Sequence, residues 1–263
     1  MKKECGIYFT TKKDKTPYYR VSITFQRKHI SLGSFMDKQD AQNAYWEAKT
    51  ILSDASLLPD EYTPRFLKFE KCITLMNFRD HGIYIKNPIY IMPRFFYYYY
   101  SKETVYTFDI DDLFYYANHK IMKRGRHLFV ADYGMQVNIL NRYGIRNYAV
   151  QDRDYYFVNH DSHDFRYSNV ICINPYLGVS QTKNKNGICQ YKVKIHINGD
   201  YLVGIYDELS QAAIAYNKAV DIVKKQGLNK NYDFNYVEGI SPSEYAEIYA
   251  NCPISEKLYH LMV

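Results

Sequence analysis

Along residues 20–25 polar and apolar side chains alternate. Arg20, Ser22 and Thr24 fall on one side, and Val21, Ile23 and Phe25 on the other. That period of two predicts a half-buried strand. The same alternation returns near the far end of the chain, with Lys192, Lys194 and His196 against Val193, Ile195 and Ile197. After each strand the period lengthens. From Asp37, a residue suited to cap a helix, Ala41, Ala44, Tyr45, Ala48, Ile51 and Leu52 recur at helical spacing. Ala212, Ala215, Tyr216, Ala219 and Ile222 do so in the second stretch, with Lys224 and Lys225 in the last turn and Gly227 at the end. Small alanines on the inner stripe predict a helix lying close against the apolar face of the sheet.

The two stretches are copies of one another. Gly6-Ile7-Tyr8-Phe9 opens the first and Gly178-Val179-Ser180-Gln181 the second. Tyr19 to Phe25 matches Tyr191 to Ile197, Leu32-Gly33-Ser34-Phe35 matches Val203-Gly204-Ile205-Tyr206, and Asp40 to Tyr45 matches Gln211 to Tyr216. The offset is 172 residues up to the second strand and 171 after it, so one hairpin turn is shorter by a residue. Asn198-Gly199 supplies a tight turn in the second copy, since both residues tolerate positive φ. Each copy therefore reads as strand, strand, strand, helix.

Elsewhere the pattern is less regular. Leu57 to Pro64, with two prolines, reads as a linker. Asp109 to Lys120 reads as a helix with Leu113, Phe114 and Ala117 inward, and Ser241 to Ala250 as a short extra helix. The expected fold class is α+β, with two three-stranded antiparallel sheet-plus-helix modules around a central domain. The expected boundaries are 1–56, 65–174 and 175–235, with a helical extension over 236–263.

With 263 residues, 47% of them hydrophobic and 24% charged, the chain has a globular composition and room for two or three small domains. A net charge of +6 is mild, so the placement of charge matters more than its sum. The five cysteines, Cys5, Cys72, Cys172, Cys189 and Cys252, are odd in number and form no CxxC pair. They read as free thiols in a reducing, cytoplasmic compartment. No secretory signal is legible. The most apolar window, Ile89 to Tyr100, is cut by Pro93 and Arg94 and is too short to span a bilayer. Tyrosine is the compositional anomaly, at 30 residues. The run Phe95 to Tyr100 has two readings, packing on a strand or a stacking platform for unpaired bases.

The repeated module resembles the Apetala/ethylene-response-factor DNA-binding domain. The resemblance rests on the opening glycine, a strand like W-R-A-R-I, an L-G-x-F corner and an A-A-x-A-Y helix. The matches are Gly6, Tyr19, Arg20, Leu32, Gly33, Phe35, Ala44 and Tyr45 in the first copy. In the second they are Gly178, Val179, Tyr191, Lys192, Gly204, Tyr206, Ala212, Ala213, Ala215 and Tyr216, with tyrosine in place of the family's tryptophan in both. The resemblance implies a sheet whose polar face enters the major groove of double-stranded DNA. Arg20, Lys192 and Lys194 would reach bases or phosphates, and Ser22, Thr24 and His196 would read base edges. Lys12, Lys13, Lys15, Lys183 and Lys185, in the strand connections, would hold phosphates.

The middle segment resembles an HNH homing-endonuclease core. Phe108 to Leu113 fits its acidic start, Leu140-Asn141-Arg142 its L-H-R strand, Val158-Asn159-His160 its hairpin, and Asp164 to Val170 its D-N-R-x-x-N-L helix. The resemblance implies that His160 would deprotonate a water and Asn169 would orient the His160 imidazole, with Asn159, and Asp161 nearby, helping to hold Mg²⁺. Asn141 replaces a histidine, however, and the tail that brings the last metal ligand is missing, because Asn174 is followed at once by Pro175. The core therefore reads as a catalytic remnant. The expected function is binding of double-stranded DNA by a regulator of phage or mobile-element lineage. The rival readings are a working Mg²⁺-dependent endonuclease and a module that grips a host protein or ribonucleoprotein.

Overall fold

A computed structural model of the chain describes residues 6–147, 149–228 and 230–260. The fold class is α+β, built from small antiparallel sheets and five helices among the described residues. The chain divides into two units. One holds the residues up to Val137 together with Asp161–Asn169, and the other holds Asn138–His160 with the residues from Val170 onward.

The first unit opens with β1 (Ile7–Thr11), β2 (Pro17–Phe25) and β3 (Lys28–Phe35) in that order, followed by α1 (Lys38–Ser53). Asp37 caps α1 as its sequence position predicts, accepting from the amides of Gln39 (2.7 Å) and Asp40 (3.0 Å). Val21, Ile23, Ile30 and Leu32 close on Ala41, Ala44, Ala48 and Ile51, all buried. The register slips between Val21 and Ser22, because Val21 faces Gly33 whereas Ser22 faces Ser31. Leu32 is the extra residue of this bulge and turns into the core.

The predicted linker does not separate this module from the next helix. The carboxylate of Glu47, on α1, accepts from Tyr62 Oη (2.8 Å) and from the amides of Arg65 (2.7 Å), Phe66 (2.8 Å) and Leu67 (2.8 Å). Burial raises the cost of that charge, but four donors outweigh it and hold the carboxyl below its ordinary range. Helix α2 (Phe69–His81) then adds Cys72, Leu75, Met76 and Phe78 to the same core. From α2, the Arg79 guanidinium donates to the carbonyls of Ile51 (2.8 Å) and Leu57 (3.0 Å), where α1 ends. The N-terminal core thus runs past residue 56 as far as Phe78.

Strands β4 (Ile89–Ile91), β5 (Phe95–Tyr99) and β6 (Val105–Asp109) form the next sheet. Phe96, Tyr98 and Tyr99 are buried in it, while Phe95 and Tyr97 are half-buried. Phe96, Tyr98 and Tyr99 thus pack on a strand, whereas Tyr100 is exposed. The helix expected over Asp109–Lys120 shrinks to a 3-10 turn (Ile110–Asp112) and α3 (Leu113–Asn118). Six helical residues leave room for one fully inward ring. Tyr116 takes it, 4.2 Å from Phe108, and Phe114 points outward at 84% exposure. A third sheet comes next, β7 (Met122–Arg124), β8 (His127–Asp132) and β9 (Met135–Asn138).

The second unit contains the short pair β10 (Tyr155–Phe157) and β11 (Val170–Cys172), then the second copy of the module. Its elements are β12 (Val179–Lys183), β13 (Cys189–His196), β14 (Asp200–Tyr206) and α4 (Leu209–Lys225). The register slips here too, between Val193 and Lys194, at the position equivalent to the first slip. Both copies lock their opening glycine in the same way. The amide of Ser22 donates to the Gly6 carbonyl and that of Lys194 to the Gly178 carbonyl, each at 2.8 Å. Gly6 (φ +85°) lies under the Tyr45 ring and Gly178 (φ +70°) under the Tyr216 ring, so close that a Cβ would collide with ring and carbonyl. Helix α5 (Pro242–Asn251), capped by Ser241, packs through Tyr245, Ile248 and Tyr249 on Ala213 and Ile214 of α4. Buried Asn217 and Asn235 pair at 2.9 and 2.7 Å and pin the segment between these helices, so the C-terminal extension shares the core of the module.

Candidate nucleic-acid interface

In each module the helix covers one face of the sheet and the other face points away from it. Direct cross-strand pairs place Tyr8, Arg20 and Ser34 on that outward face in the first copy. The Arg20 guanidinium lies 5.6 Å from the Tyr18 ring and donates to Tyr18 Oη at 3.1 Å, so it is oriented in advance. Thr24 is exposed beside His29, its pair in β3, with Oγ1 3.4 Å from Nδ1. Ser22 differs from expectation. It is buried, because a one-carbon side chain in the middle strand is overtopped by its neighbours. Lys12, Lys13 and Lys15 are exposed in the β1–β2 connection, which Asp14 shapes by accepting from the Thr16 amide at 3.0 Å.

The second outward face carries Lys192 opposite Ser180 and Ile205, Lys194 opposite Leu202, and His196 opposite Asp200. Asp200 is the residue sequence reasoning missed. Its carboxylate meets His196 Nδ1 at 2.9 Å and Lys194 Nζ at 3.7 Å. The His196 hydrogen bond, helped by Lys194, holds the Asp200 carboxyl below its ordinary range. Lys194 and His196 therefore carry a counter-ion, whereas Lys192 makes no ion pair among the described residues. Leu202 and Ile205, about half exposed, give this face an apolar strip that the first lacks. Lys183, at the end of β12, and Lys185, in the β12–β13 connection, are exposed.

A second cationic feature was legible but unread. Lys123-Arg124-Gly125-Arg126-His127 forms the tip of the β7–β8 hairpin, turning at Gly125 (φ +59°). All four side chains are exposed, and none makes an ion pair among the described residues. Four cationic or titratable residues in five, around a glycine, are the signal that could have found it.

The endonuclease resemblance fares differently. Asp164 to Val170, which it places on a helix, forms turns and a short bridge to β6. The Asp164 carboxylate grips the Arg166 guanidinium at 2.9 and 2.6 Å and also accepts the Arg166 amide at 3.2 Å. Such local side-chain bonding competes with helix formation. Asn169 is buried and donates to the Asp164 carbonyl at 2.8 Å. Asn159 and His160 (φ +62°) are exposed, and Asp161 is exposed with Oδ1 3.3 Å from His163 Nδ1. Asp109 accepts the Tyr167 amide and Asp112 the Tyr167 hydroxyl. The carboxylates of Asp109, Asp112, Asp161 and Asp164 serve protein donors, and no group of three His, Cys, Asp or Glu gathers among the described residues.

Cys72, Cys172, Cys189 and Cys252 are free thiols, and Cys5 lies outside the described residues. Among the described residues no helix is long and apolar enough to cross a membrane. The chain matches no protein-family model, no curated protein and no solved structure.

Proposed function

We propose that the chain binds double-stranded DNA, with the outward face of its first sheet-plus-helix module in the groove, and regulates rather than cuts it. One observation carries this reading. The modules agree in strand order, in the position of the register slip and in the glycine-under-tyrosine lock, and each turns a cation-bearing strand face away from its helix. A pleated three-stranded sheet with a polar outer face suits the width of a major groove. In this reading Arg20, steadied by Tyr18, contacts a base or phosphate, and Thr24 and His29 present short polar groups to base edges. The lysines of the strand connections and the 123–127 hairpin anchor phosphates without reading sequence. The turns at Asp164–Val170 and the committed carboxylates support the view that the central segment is a remnant of an endonuclease lineage.

Selection from a random duplex library across a salt series, with and without Mg²⁺, tests this directly. Enrichment of one motif, with affinity falling steeply as salt rises, is the expected result. Absence of enrichment overturns sequence-specific binding. Products cut only with Mg²⁺, and lost in His160→Ala, overturn the regulator.

A further inference from the structure

Within the second unit, the outward face of β13 is walled by the loop residues Arg146, Asn147, Ala149, Arg153 and Asp154 and forms a cleft of about 600 Å³. Lys192, Lys194 and His196 line it from the sheet, Arg146 and Arg153 from the loop, and half-buried Tyr176 borders it. Two carboxylates share the space, and both are already committed. Asp154 accepts from Arg153 (2.6 Å), the Val150 amide (2.8 Å) and Asn174 (3.0 Å), and Asp200 serves His196 and Lys194. Two cations are left over. Lys192 has no ion pair among the described residues, and Arg146 spends only its Nε, donating to the Pro175 carbonyl at 3.1 Å. A cleft of small-ligand size with uncommitted Arg and Lys groups on opposite walls is suited to an anion.

We propose that this cleft holds the phosphodiester backbone of a single nucleic-acid strand, with Arg146 and Lys192 on successive phosphates and Tyr176 beside a base. Its volume admits a few strand atoms and excludes a duplex. Cations on both walls suit a chain of phosphates better than one terminal phosphate. Aromatic rings beside a cationic groove are how unpaired bases are held without sequence preference. The inference goes beyond duplex recognition and stands without it.

The test is fluorescence anisotropy of the full chain with a labelled twelve-nucleotide oligo-dT, competed by unlabelled mixed-sequence duplex and by inorganic pyrophosphate. Tight oligo-dT binding is expected, at least 10-fold weaker in the Arg146→Ala, Lys192→Gln double variant. The slope of log affinity against log salt should fall by about 1.4, since each lost single-strand phosphate contact accounts for about 0.7. Arg146→Lys should retain most of the affinity, and Arg20→Ala, in the other unit, should weaken duplex binding while leaving oligo-dT unchanged. In the unmodified protein, oligo-dT should protect Lys192 from amine acylation read by mass spectrometry, which needs no variant to fold. Unchanged oligo-dT affinity in a folded double variant overturns the proposal. So does displacement by pyrophosphate at equal phosphate concentration, which would mark a site for free phosphates, or full acylation of Lys192 in the complex.

Discussion

Glu47 is the residue on which the first unit should depend most visibly. Its two carboxylate oxygens receive four donors, Tyr62 Oη and the Arg65 amide on Oε1, and the Phe66 and Leu67 amides on Oε2. In Glu47→Gln the amide can keep its oxygen towards Phe66 and Leu67 and turn its NH₂ towards Tyr62, whose hydroxyl can reverse and accept. The Arg65 amide then loses its acceptor. An orphaned part-buried donor costs about 1 kcal/mol, and turning the three remaining charge-assisted bonds into neutral ones costs about 1 kcal/mol each. The sum, about 4 kcal/mol, is a large share of the roughly 5–15 kcal/mol that holds a domain folded. At roughly 2–4 °C per kcal/mol for a unit of this size, the first melting transition should fall by about 10 °C at pH 7.

The pH dependence gives an independent check. The folded-state carboxyl of Glu47 is held below its ordinary range, so its contribution is present above the unfolded-state value and lost as pH falls through the depressed one. The gap between the parent protein and Glu47→Gln should therefore narrow on acidification. Thermal melts followed by circular dichroism, from pH 7 downwards, measure both effects. A variant melting within 3 °C of the parent at pH 7, or a gap that widens in acid, would refute the reasoning.

Four further outcomes are expected. Gly6→Ala and Gly178→Ala should each destabilise their unit by about 3 kcal/mol, because the new methyl meets both a ring and a carbonyl, with Tyr45 Cε2 at 2.6 Å in the first case. Gly144→Ala, with positive φ but open space, should cost about 1 kcal/mol, and equal urea midpoints for all three would contradict the packing argument. Arg20→Ala should weaken duplex binding and lower its salt slope by about 1 without moving the melting temperature, which electrophoretic titrations at several salt concentrations can check. Arg124→Ala with Arg126→Ala should reduce affinity alike for all duplex sequences, and a change in the selected motif would argue against a purely phosphate-anchoring hairpin. Burial pushes the Cys72 thiol up to about 12, so mass-mapped alkylation at pH 8 should find it protected in the native chain and reactive in denaturant.

The repeat was the legible part of this fold, and the reason is local. The alternation at Val21, Ile23 and Phe25, the alanines of α1 and α4, the Asp37 cap and the Ser241–Ala250 helix each depend on neighbours within a turn or two in sequence. What could not be read depends on partners far along the chain. Glu47 meets residues 62–67, Arg79 meets residues 51–57, and Asn217 meets Tyr245, so the boundaries drawn from composition cut through shared cores. Asp164 to Val170 carries a plausible helical motif, yet the Asp164–Arg166 contact bends it into turns. At the candidate interface Arg20, Thr24, Lys192 and the loop lysines stand exposed or half-exposed on the faces the alternation predicts. Ser22 sinks below its neighbours, and Asp200 became visible only when the strands were paired.

The two copies are alike where they touch themselves and unlike where they face outward. Inside, Val21 and Val193, Gly6 and Gly178, Tyr45 and Tyr216, and the three helix alanines occupy equivalent places, because each position is fixed by close contact between sheet and helix. Outside, Tyr8-Arg20-Ser34 of one copy corresponds to Ser180-Lys192-Ile205 of the other. Arg20 is propped on a ring and offers a planar fork, which can engage a base edge or phosphate in two places at once. Lys192 offers a single mobile charge, and its neighbours Lys194 and His196 carry Asp200 with them. A carboxylate on a nucleic-acid-facing surface repels phosphates unless the cations beside it hold it, so a shape shared by the two modules does not give them a shared ligand contact. The scaffold explains why the repeat is recognisable, and under the proposed function the divergence of its outer faces would leave the first module to read and the second to grip.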